Sequence, residues 1–194
     1  MPVLMLGTAC SSSGGEEKKP SGTPLARACG GIFDQRMVKE SRHSDVRVVE
    51  HMGYADVADK LADPTVDRDY SDQRICFFTA AANKVDELLS LTVQWDSVPP
   101  DGGRSVAYMP VGRIARDGQL DVLCRHPRGE KKANPPHFET LAFTIDQSLS
   151  IDKSLGLSLN SRARLLISAA KKVTAHMDCA NSVTFPDPEE VAPR

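Results

Sequence analysis

Between Phe138 and Ile145 the chain alternates, with Phe138, Thr140, Ala142 and Thr144 set against Glu139, Leu141, Phe143 and Ile145. Successive side chains of a strand leave it on opposite faces, so Leu141, Phe143 and Ile145 are expected to point into a core. A different period governs the end of the chain. Ala163, Leu166, Ala170, Val173 and Met177 recur at helical spacing, while Arg162, Arg164, Lys171 and Lys172 fall on the other side. That stripe predicts an amphipathic helix started by Asn160 or Ser161 and packed on one face of a sheet.

Shorter apolar runs fill the space between. Strands are expected over Arg47–Met52, Arg74–Thr79, Leu88–Trp95, Val106–Val111 and Leu120–Arg125, the last two flanking the turn pair Asp117-Gly118. Residues Ala26–Glu40 read as a short helix interrupted or started near Gly30-Gly31. Ala55–Leu61 reads as another, ending before Asp63-Pro64 because a residue that precedes proline is pushed out of helical space. Pro99 to Gly103 is a turn cluster, and Pro127–Pro136 a solvated loop. Strands joined by turns, with helices towards the two ends, predict an α+β fold: an antiparallel sheet of about four to six strands covered by N- and C-terminal helices. One domain over residues 25–185 and a loose tail over 186–194 account for the rest of the chain.

Composition narrows the class. A net charge of −2, with both signs interspersed, does not supply the basic field that a nucleic-acid binder needs, and no nucleic-acid partner is expected. No run of about 18 apolar residues is present, so no segment reads as a membrane-crossing helix.

The five cysteines, Cys10, Cys29, Cys76, Cys124 and Cys179, are widely spaced with no C-x-x-C pair, which disfavours a zinc ribbon or a thioredoxin-like motif. Cys10 stands apart, after Met-Pro-Val-Leu-Met-Leu-Gly-Thr-Ala and before Ser11-Ser12-Ser13-Gly14-Gly15. This arrangement resembles the lipobox of bacterial lipoproteins. The resemblance implies a lipid on Cys10, cleavage in front of it, and residence on the extracytoplasmic face of the cell membrane. Each buried CH₂ of an acyl chain is worth about 0.8 kcal/mol, so two or more chains hold a protein on a bilayer. Residues 10–24 then form a flexible tether rich in Ser, Gly, Glu, Lys and Pro. Residues 1–9 are a truncated or atypical signal: they lack Lys and Arg, and Gly7 stands where that family prefers Leu, so the native start is expected upstream.

The body carries a second likeness. Cys29-Gly30-Gly31, Leu120-Asp121-Val122-Leu123-Cys124, and the stretch from Leu165-Leu166 through Ala175-His176-Met177-Asp178-Cys179 resemble a group of small lipoproteins and secreted proteins of high-GC Gram-positive bacteria. Those proteins end in an Ala-rich helix closed by a cysteine, and the likeness spans most of residues 29–180. It implies export and cysteine pairing more than an activity. Four cysteines allow three connectivities. The expected one is nested, with Cys76 bonded to Cys124 between strands and Cys29 to Cys179 between the terminal helices.

No catalytic centre is spelled out. Gly156-Leu157-Ser158-Leu159-Asn160 lacks the closing glycine of a nucleophile elbow. His43, His51, His126, His137 and His176 are scattered without zinc spacing. Asp63, Asp67, Asp69 and Asp72 form an acidic cluster, but Asp72 and Phe78 occupy the places where a calcium loop has its glycine and its Glu. The glycine pairs lack a P-loop lysine. Arg128, Lys131 and Lys132 make a small basic loop, and Trp95 is expected in the core. No catalytic residue, metal or cofactor is therefore assigned. The expectation is a membrane-tethered module that binds a cell-surface protein or wall polymer. The alternative is an extracytoplasmic hydrolase whose site is assembled only in the fold.

Overall fold

The computed structural model describes residues 22–63, 72–81, 87–96, 119–124, 140–146, 154–183 and 185. The expected strand Val106–Val111, the turn at Asp117-Gly118 and the loop Pro127–Pro136 lie outside them. The elements in chain order are β1 (Thr23–Pro24), a 3₁₀ turn (Leu25–Gly30), α1 (Gln35–Glu40), β2 (Asp45–His51), α2 (Tyr54–Ala62), β3 (Gln73–Ala80), β4 (Glu87–Asp96), β5 (Gln119–Leu123), β6 (Thr140–Asp146) and α3 (Leu159–Thr174). The six described strands make one antiparallel sheet in the order β1-β2-β3-β4-β6-β5. The fold is α+β, as the pattern of apolar positions predicts. The sheet begins at Thr23, within the stretch read as tether, through the pairing of Thr23 with Val46.

Register explains the core. Cys76, Leu91 and Ile145 lie side by side across β3, β4 and β6, and Val93, Phe143 and Leu120 do so across β4, β6 and β5. Trp95, Leu141 and Val122 form a third row, and all nine side chains are buried. The alternation read for β6 is the observed one: Leu141, Phe143 and Ile145 face the helices. α3 covers β5 and β6 and touches α2, which covers β3. The predicted stripe of α3 is buried, and Leu165, Ile167 and Ala169 widen it. Trp95 is a core residue; its Nε1–H donates to the Leu61 carbonyl at the end of α2, 2.9 Å away. A buried indole needs such an acceptor.

Helix ends follow local chemistry. α2 stops at Asp63, whose ψ of 121° is the extended value that a following proline imposes. The Ala26–Glu40 segment is two pieces, parted by a left-handed run at Cys29, Gly30 and Gly31 with φ of 52°, 68° and 71°. α3 is capped neither by Asn160 nor by Ser161. Ser158 does this, its Oγ accepting from the Ser161 N–H at 3.2 Å. The Ser161 hydroxyl is engaged elsewhere, donating to Glu40 at 2.6 Å. Glu40 Oε2 also accepts from the N–H and the hydroxyl of Ser158 and so ties α1 to the start of α3. Asp34, the N-cap of α1, receives a two-pronged contact from Arg164 of α3 at 2.9 and 3.0 Å.

All four body cysteines are bridged, but not in the nested order. Cys29 bonds Cys76, and Cys124 bonds Cys179. The left-handed run turns Cys29 onto β3. Past α3 the chain turns back at Ala175–Met177, which brings Cys179 to the end of β5. The closed loops span 47 and 55 residues, and in the chain-entropy model each removes on the order of 4 kcal/mol of unfolded-state freedom.

Candidate functional site: the outer face of the sheet

The residues between the buried ones along each strand face away from the helices. Cross-strand register assembles them into rows, because directly opposed residues lie on one face. Arg74, Thr92, Thr144 and Gln119 form one row across β3, β4, β6 and β5. Gln94, Ala142 and Asp121 form a second. Glu50, Phe77, Ser90 and Asp146 form a third across β2, β3, β4 and β6. With strands about 4.8 Å apart, four residues abreast span about 14 Å.

Hydroxyls and amides dominate this face. Thr92, Gln94, Thr144, Gln119 and Asp121 are half-buried, and Ser90 and Ala142 are buried. One ion pair is described on this face. Arg74 donates to Glu50 Oε2 at 3.0 Å and lies over the Phe77 ring, 5.2 Å from its centroid. Both partners of that ion pair are about half exposed, 48% and 46%, so solvent screens it to at most about 1 kcal/mol. Gln119 donates to Asp121 at 2.6 Å. At opposite ends of the face Thr79 Oγ1 and Thr140 Oγ1 are buried and lack a hydrogen-bond partner among the described residues. The described residues of this face set hydroxyls, amides and carboxylates side by side, donors next to acceptors.

A second polar cluster lies beside the left-handed run. The Tyr54 hydroxyl donates to the Cys29 carbonyl at 2.6 Å, and Lys172 donates to the Gly30 carbonyl at 3.3 Å with its ammonium 5.1 Å from the Tyr54 ring centre. His51 meets the edge of the same ring at 6.1 Å. Burial pushes the Tyr54 hydroxyl well above its ordinary pKa, so it remains a neutral donor. A Cβ on Gly30 would stand 3.0 Å from that ring at a φ only glycine adopts freely, which explains the residue. The Tyr54 hydroxyl and the Lys172 ammonium both bond carbonyls of the left-handed run, which fastens the first turn of the domain.

The residues singled out from sequence are distributed as follows. Cys29, Cys76, Cys124 and Cys179 are structural bridges. Cys10, Asp67, Asp69, Arg128, Lys131, Lys132, His126 and His137 lie outside the described residues. His43 is half-buried, His51 and His176 are exposed, and the structure does not bring them together. Among the described residues no group of three His, Cys, Asp or Glu side chains is placed to hold a metal ion, and no helix is long and apolar enough to cross a membrane. The outer-face rows were missed from sequence. Their only signal is the polar half of each alternation, which names the face without showing which residues stand abreast. Comparison with protein-family models, with curated proteins and with solved structures finds no match to this chain.

Proposed function

We propose that this chain is a membrane-tethered extracytoplasmic lipoprotein, held by a lipid on Cys10, that serves as a non-enzymatic binding or accessory module. The observation that carries this reading is the disposition of the cysteines: four are joined in two bridges, which leaves Cys10. Such bridges persist in oxidising spaces outside the cytoplasm, so they support export. An unpaired cysteine between an apolar run and a Ser/Gly stretch supports lipidation. The partner is a cell-surface protein or a wall polymer, and the outer face, rich in hydroxyls and amides, is the surface best suited to meet it.

Detergent-phase partitioning of the native protein from a high-GC Gram-positive host tests the anchor. The wild-type chain is expected in the detergent phase and Cys10→Ser in the aqueous phase. A native protein found in the cytosol with its thiols free overturns the reading. Cosedimentation of the soluble domain with isolated cell walls tests the face. Thr92→Arg with Thr144→Arg is expected to weaken retention roughly tenfold or more, the loss of one well-made contact region. Unchanged retention moves binding elsewhere.

A further inference from the structure

The two bridges differ in where they sit and in what they hold. Cys29 and Cys76 are 2% and 0% exposed, inside the core, on a turn and a central strand that many other contacts already fix. Cys124 is equally buried, but its partner Cys179 is half-buried, in the irregular stretch that follows α3. Other contacts hold that stretch to the domain from its described residues. Met177 is tucked against the core, Val183 and Phe185 pack at its margin, and Lys171 lies 5.8 Å from the Phe185 ring centre. The Asn181 side-chain amide donates to the Leu123 carbonyl at 3.0 Å. Leu123 ends β5, so this contact and the bridge both fasten the stretch after α3 to the end of that strand.

We infer that Cys124–Cys179 is a redox-operated clasp, opened by an extracytoplasmic dithiol while Cys29–Cys76 stays closed. One thiolate of the dithiol attacks Sγ of Cys179 and forms a mixed disulfide, and Cys124 leaves as a thiolate that takes up a proton. The second thiol of the dithiol then displaces Cys179. The protein gains two thiols and the dithiol becomes a disulfide, a two-electron exchange that needs no other reactant. The attack requires access to a bridge sulfur, which burial denies at Cys29 and Cys76. Opening releases the described residues after α3, 175–183 and 185, from the end of β5. The inference goes beyond the lipoprotein reading; it rests on that reading's export but not on the lipid anchor.

The test uses the purified, oxidised full-length chain carrying Cys10→Ser, which prevents a free thiol from reshuffling the bridges. Graded dithiothreitol, alkylation and peptide mass spectrometry read which cysteines open. Cys124 and Cys179 are expected to be labelled at reductant levels roughly tenfold below those that label Cys29 and Cys76. Hydrogen exchange over 175–185 is expected to rise at that point while β3 and β4 stay protected. Simultaneous opening, prior opening of Cys29–Cys76, or unchanged exchange of the tail overturns the inference. Cys124→Ser with Cys179→Ser supplies a second reading without reductant. A folded sheet with a loosened tail is expected, and a collapsed sheet makes the bridge a brace and refutes the clasp.

Discussion

The two faces of the sheet are made by the same strands and obey different physics. On the inner face Phe78, Leu89, Leu91, Val93, Phe143 and Leu120 are wholly buried against α2 and α3. Each buried side chain of this size contributes roughly 1.5 to 3 kcal/mol by leaving water. On the outer face Arg74, Thr92, Thr144 and Gln119 form a row whose members keep contact with solvent. The only ion pair described on that face, Arg74 to Glu50, is half exposed and worth little. The large apolar side chains therefore gather on one side, and the polar ones on the other.

Mutations can break that contrast. The largest effect belongs to Phe143→Ala, which is expected to cost about 3 to 5 kcal/mol in urea unfolding because it empties a closed site. A loss below about 1 kcal/mol would mean that the inner face is not the close-packed side. Acid addresses the polar rim of the helical layer. For Glu40 the hydrogen bond from Ser161 leads, followed by those from Ser158 and Arg36; together they outweigh burial and hold its carboxyl below the ordinary range. For Asp34 burial pulls upward, but the Met37 N–H and the Arg164 guanidinium prevail and its carboxyl is lowered too. Groups with lowered folded pKa values stabilise above their unfolded values and lose that contribution as pH falls through the folded ones. Stability is thus expected to decline with acid below about pH 4.5, near the unperturbed carboxylate range. In Glu40→Gln the decline should be shallower, with about 1 kcal/mol already lost at neutral pH, the worth of a helix cap.

Smaller effects sharpen the contrast. Thr140→Val removes a buried hydroxyl without a described partner and is expected to raise stability by about 1 kcal/mol in the same assay. A fall of similar size would reveal a bond that this hydroxyl makes. Thr92→Ala, in the middle of the outer row, is expected to move stability by no more than about 0.5 kcal/mol. A larger loss would show that the outer face also carries the fold.

Local patterns were legible in the sequence and long-range meetings were not. The period of two over Phe138–Ile145 names the inward residues of β6, and the stripe from Ala163 to Met177 names the buried side of α3, because each signal lies within one element. Pro64 marks the end of α2 for the same reason. The bridge partners were not legible, since Cys29 reaches β3 only through three consecutive left-handed residues. The cap of α3 was read two or three residues late because Ser158, Asn160 and Ser161 are all capping types. The backbone decides among them: Ser158 holds the extended conformation of a cap, and the helix has begun by Leu159. The outer rows draw one residue from each of several strands, so they exist only once register is set.

The carboxylate at Glu40 has a consequence for the order of assembly. It accepts from Ser158, 118 residues further on, so the contacts that tie α1 to the start of α3 form only once both ends of the domain are present. A chain emerging from its amino end lacks this tie until the last helix arrives. Such distant closures make folding slow. A product shortened before Ser158 would stay open and be an easy substrate for proteases.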